Sequence, residues 1–110
     1  MKIRKDFVTN SSSSSFVIAR HKTYTDDKLR ANIEKHKKYV ENILEEYSNG
    51  ESYGELVEKI IDRIPDEAID LGEWLITGCE VSNDYTNADL FLYEHLVDLE
   101  EEGFKVGVVY

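Results

Sequence analysis

The chain has 110 residues, one cysteine, 41% hydrophobic residues and a net charge of -10. That length suits one domain, residues 1–110, with enough apolar and aromatic area to offset chain entropy. Disorder is therefore excluded as an expectation, as is an internal disulfide. No run approaches the roughly 18 apolar residues of a membrane helix. Met1 to Lys5 leads into polar serines rather than an apolar signal core, so the expected location is the cytoplasm, with no membrane partner.

The charge is unevenly spread. Residues 1–38 hold ten lysines and arginines against four acids, whereas residues 39–110 hold three against nineteen. This split fits an acidic surface aimed at a basic protein, or a basic segment folding back on acidic helices. It disfavours direct nucleic-acid binding outside the basic N-terminal third.

In chain order, Ile3 and Phe7 share one side of a first candidate strand. The serines 11–15 suit a loop or strand edge. Phe16 to Ala19 is a short block apolar on both sides, as in a central strand. The opening Lys2-Ile3-Arg4-Lys5-Asp6-Phe7-Val8-Thr9-Asn10, its five serines and Phe16-Val17-Ile18 resemble the start of many small, uncharacterised bacterial proteins of clostridia, related Firmicutes and their mobile elements. The resemblance implies a bacterial or phage origin and no particular activity.

Thr25, Asp26 and Asp27 suit a helix start. Leu29, Ile33, Val40, Ile43, Leu44 and Tyr47 predict one apolar stripe over more than five turns, stopped by Ser48, Asn49 and Gly50. Ser52 to Glu55 forms a capping box for a second helix, with Leu56, Val57, Ile60, Ile61 and Ile64 on one face and Pro65 beyond its end. A turn or helical segment over 66–71 precedes a strand from Trp74 to Val81. Thr86 and Asp89 resemble another capping box, opening a third helix that Gly103 closes. Phe104 to Tyr110 alternates as a strand.

The expected fold is α+β, in the order β-(β)-α-α-β-α-β: a three- or four-stranded sheet covered on one side by three helices. Its expected core is Phe16, Ile18, Leu29, Ile33, Val40, Leu44, Ile60, Ile64, Trp74, Ile76, Leu96, Val106 and Val108.

The chemistry-bearing residues offer little grammar. His21, His36 and His95 lack a paired metal-ligand spacing, so no metal or other cofactor is expected. A phosphate cradle at the serines would want glycines and a following lysine, which are missing. Cys79 would need a neighbouring base such as His95 or His21 to act as a nucleophile. The leading expectation is a non-enzymatic regulator or inhibitor binding a basic partner through an acidic helical surface that includes Glu55, Glu58, Asp62, Glu94, Asp98 and Glu101, with Glu41 and Glu45 extending the array. The alternative is a small ligand-binding domain or enzyme with a pocket near Ser11, Ser12, Ser13, Cys79 and Asp84. The expected state is a monomer, or a homodimer paired through the uncovered edge of the C-terminal strand.

Overall fold

A computed structural model describes residues 13–47, 50–82 and 86–109. The expected first strand around Ile3 and Phe7, together with Ser11, Ser12, Ser48, Asn49 and Asp84, lies outside the described residues. Four strands, β1 (Ser13–His21), β2 (Ile69–Asp70), β3 (Trp74–Ser82) and β4 (Phe104–Val109), form one antiparallel sheet in the order β2-β3-β1-β4. The α+β class is as expected, and the block Phe16 to Ala19 lies in a central strand paired on both sides.

Cross-strand partners share a face. Phe16 pairs with Cys79 and Val108, and Ile18 pairs with Thr77 and Val106, so these residues face one way. That is the covered face, where Phe16, Ile18, Cys79, Val81 and Phe104 are buried against the helices. The expected core positions Trp74 and Ile76 pair with His21 and Ala19 and therefore point to the opposite face, where they are half-buried. Val108 faces the helices, but its position on an edge strand leaves it 40% exposed. Leu44 and Val106 are half-buried against the core, and the remaining expected core residues are fully buried.

The helices are α1 (Asp26–Lys35), α2 (Lys37–Glu46), α3 (Tyr53–Arg63) and α4 (Asn87–His95), followed by a 3₁₀ turn, Val97–Leu99. Thr25 caps α1 by accepting from the Lys28 amide, and Ser52 and Glu55 close a reciprocal capping box on α3. Ile64 is extended, as a residue before proline tends to be, so α3 stops at Arg63. The single long helix expected over Asp26 to Tyr47 is two helices. His36 turns its amide to the Ile33 carbonyl, and its imidazole Nδ1 donates to the Asn32 carbonyl that the amide has left. The segment expected to be a turn or helix over 66–71 contributes β2 instead. At α4, Thr86 accepts from the Asp89 amide, while the Asp89 carboxylate turns to Arg63 rather than back to the cap amide.

Asn32 occupies the buried stripe of α1 and is 1% exposed. Its amide donates to the Leu99 carbonyl at 2.6 Å and to the Tyr24 hydroxyl at 3.1 Å. Tyr24 in turn donates to Glu101, whose other oxygen receives Lys35 at 2.7 Å. The Tyr24 ring stacks on Phe104. Gly103 turns the chain at φ +86, and a side chain there would begin 3.2 Å from the Tyr24 ring. This polar knot ties the later half of α1 and the Tyr24 loop before it to the turn that delivers β4. Replacing Asn32 by alanine leaves the buried Leu99 carbonyl without its side-chain donor, and we predict a loss of about 2 kcal/mol, seen as a lower urea midpoint with an unchanged m-value.

Candidate interaction surface

Half of the eight acids expected to form one array are engaged within the fold. Arg30 on α1 grips Glu58 on α3 through two hydrogen bonds of 2.6 and 2.9 Å and also pairs with Asp27. Glu55 closes the α3 capping box. Glu101 belongs to the Tyr24 knot, and Asp98 lies 3.2 Å from the His95 ring. Elsewhere Arg20 pairs with Asp26, Lys22 with Asp70, Lys59 with Glu51 and Arg63 with Asp89. The basic segment thus folds back on acidic ones. Asp62 and Glu94 remain on exposed helical surface, as do Glu41, Glu45 and Glu46 on α2.

The pairing shows in the proton affinities. The Ser52 amide and hydroxyl hold the Glu55 carboxyl below its usual value, and Arg30 does the same for Glu58. Partial burial pushes Glu101 up, but the hydrogen bonds from Lys35 and Tyr24 outweigh it, and its pKa lies below the ordinary one. Burial, aided by Glu34, pushes the Tyr53 phenol up to about 12.

Cys79 is 3% exposed on the covered face, paired with Phe16, and burial raises its thiol pKa. Neither suggested base attends it: His21 is bound to Thr23 and Glu73, and His95 to Asp98. Ser13 begins β1 opposite Ser82. His21, Thr23 and Glu73 do form a chain of hydroxyl, imidazole and carboxylate, with His21 Nδ1 2.8 Å from Thr23 Oγ1 and Nε2 3.1 Å from Glu73. The Nδ1 acceptor is shared with the Thr23 amide, and the Glu73 side chain is 84% exposed. A base so occupied, beside a solvated carboxylate, anchors the loop after β1 rather than activating a nucleophile.

Charged groups meet edge backbone on β3, beyond the two residues that pair with β2, and on β4. On β3 the Arg63 guanidinium donates to the Glu80 carbonyl while also holding the buried Asp89. On β4 the Phe104 amide and carbonyl are bridged to Glu101, and the Val106 amide donates to the Glu100 carboxylate at 3.1 Å. The C-terminal edge, expected to be uncovered, is therefore shielded over its first half. Charged groups on edge backbone oppose strand addition by another chain.

The sheet face away from the helices is different in kind. Val17 and Ala19 on β1, Trp74 and Ile76 on β3, Ile69 on β2 and Val109 on β4 share it. Ile69, Val109 and Val17 are 66%, 49% and 40% exposed. Gly78 and Gly107, both paired with Val17, keep its centre flat, and its acid and base are Glu80 and Lys105. His21 meets Trp74 edge-on at one end. Sequence inspection missed this face because Trp74, Leu75 and Ile76 are consecutive apolar residues without a visible phase; the apolar pair Val17 and Ala19 was its available signal.

No protein-family model matches the chain, and no curated protein or solved structure matches it. No helix among the described residues is long and apolar enough to cross a membrane, and no group of three or more histidine, cysteine or acidic side chains among them could hold a metal ion.

Two predictions follow from these environments. Cys79 in the native protein should react with a small disulfide reagent far more slowly than an unfolded thiol, and at the full rate in denaturant; fast native labelling would contradict its burial. Because the folded Glu101 pKa is lowered, its stabilising contribution is complete above the unfolded carboxylate value and is lost as pH falls through the folded one. Glu101→Gln should therefore cost about 1–2 kcal/mol at neutral pH and reduce the loss of stability on acidification, both measured by urea unfolding.

Proposed function

We propose that this chain is a non-catalytic protein-binding module whose bare sheet face takes an apolar patch on a partner with a basic rim. The observation that carries this reading is that, among the described residues, only one face of the sheet is covered. The helices bury Phe16, Ile18 and Cys79, while Val17, Ile69 and Val109 on the other face are in contact with solvent. Exposed apolar area of this kind, rimmed by polar residues, marks interaction sites.

Charge supplies the partner's chemistry. Glu80 on β3 and Lys105 on β4 lie on this face, so its β3 side is acidic and its β4 side basic. A basic rim on the partner would complement the acidic side and speed encounter with a chain of net charge -10. The basic partner expected from composition is retained, but its seat moves from the helical acids, many of which are engaged within the fold, to the sheet. The single buried cysteine supports a cytoplasmic setting for such a module.

The test is titration of the ¹⁵N-labelled chain with an amphipathic peptide of alternating leucine and lysine, and separately with oligolysine. The peptide should shift the amides of Val17, Gly78 and Gly107, and Val17→Asp with Ile69→Asp should weaken it about tenfold or more. Glu94→Lys with Asp98→Lys should leave it nearly unchanged. Equal shifts with oligolysine, or shifts confined to α3 and α4, would assign binding to the helical acids and overturn this reading.

A further inference from the structure

The core-facing row of β1 runs Phe16, Ile18, Arg20. A guanidinium in line with two buried apolar residues calls for an explanation, and the ending of α3 supplies one. Because Ile64 and Pro65 break that helix and the chain departs toward β2, α3 does not extend over the Arg20 end of the sheet. A cavity of about 370 Å³ lies there, with Ile18, Ile64, Pro65 and Leu75 on its apolar side and Arg20, Lys22, Asp26 and Asp66 on its charged side.

The guanidinium is held in place. Arg20 Nε donates to the Tyr24 carbonyl at 2.7 Å, and Nη2 donates to Asp26 at 2.7 Å. The Arg20 side chain is 22% exposed and that of Asp26 is 63% exposed. The backbone contact fixes the cation, whereas a pair with so solvated a carboxylate contributes little and is readily exchanged. The second lysine or arginine of the lining, Lys22, is taken by Asp70 at 2.9 Å, so an apolar wall beside the oriented Arg20 guanidinium matches a small molecule that has an apolar body and a single anionic end.

We propose that this cavity binds a small monocarboxylate, aromatic or short-chain aliphatic, with its hydrocarbon against Leu75, Ile64 and Pro65 and its carboxylate taking the place of Asp26 on Arg20. Planar two-point pairing of guanidinium with carboxylate gives the site its preference for acids over alcohols and amines. The site is separate from the bare face: Arg20 and Leu75 point to the covered side, and Val17 and Ile76 to the other.

The probes are benzoate, hexanoate, benzyl alcohol and benzylamine, titrated into the ¹⁵N-labelled full chain. Benzoate and hexanoate should give saturable shifts at Leu75, Thr77 and Ala68, and benzylamine should give none. Arg20→Met should weaken benzoate by about tenfold or more while leaving any benzyl alcohol shifts unchanged. Since Arg20 also anchors the Tyr24 carbonyl, Ala68→Phe provides an independent arm: Ala68 lines the cavity, and a phenyl group there should abolish benzoate binding without touching Arg20. Absence of saturable shifts with either acid, equal binding of benzylamine, or undiminished benzoate binding in well-folded Arg20→Met or Ala68→Phe would overturn the proposal.

Discussion

A single buried amide organises the molecule. Asn32 reaches from α1 to the Leu99 carbonyl, and through Tyr24 it joins Glu101, Lys35 and the turn at Gly103. A polar side chain 1% exposed is tolerable because it has such partners, and its satisfaction fixes where the last strand starts. Without the knot, β4 would depend on strand pairing and on the packing of Phe104 and the 3₁₀ turn to find its place beside β1. The knot also explains the guarded edge. Leu99 has given its carbonyl to Asn32, and the Val106 amide is taken by the Glu100 carboxylate.

The helices and the sheet divide the charge and the apolar area between them. Arg20, Lys22, Arg30, Lys35, Lys59 and Arg63 each meet an acid, some across 26 to 66 residues of sequence. Several of these pairs are exposed and contribute little individually to stability. Their larger effect is on surface character, since Arg30 and Lys35 take Glu58 and Glu101 out of what composition presents as one acidic array. Among the described residues, apolar area remains in contact with solvent on the sheet face that lacks helices, while charged groups cap the free backbone of β3 and β4. Such a layout disfavours growth of the sheet sideways and leaves face-on contact open.

Much of the fold was legible in the sequence because local chemistry and tertiary position agree there. Ser52 and Glu55 start α3, Pro65 ends it, and the doubly apolar block at Phe16 lies in a central strand. Legibility failed where local pattern was neutral. The stripe from Leu29 to Leu44 runs on through His36, so nothing in its period marks a break that depends on an imidazole reaching the Asn32 carbonyl. Trp74 to Ile76 could face either way until pairing with β1 set the phase. Of the candidate site, the acidic composition could be read, but the bare face, the Arg20 cavity and the edge caps of Arg63 and Glu100 could not. Each depends on residues that only the folded chain brings together.

The central claim is that the described residues cover this sheet on one face and leave the other open, with alternate residues of β1 belonging to each. Relaxation of side-chain methyl signals by a soluble paramagnetic agent tests it most directly. Strong broadening of Val17, Ala19 and Ile69 beside sparing of Ile18 and Val81 is the result this account predicts. Equal protection of Val17 and Ile18 would mean that both faces are covered, and would contradict it.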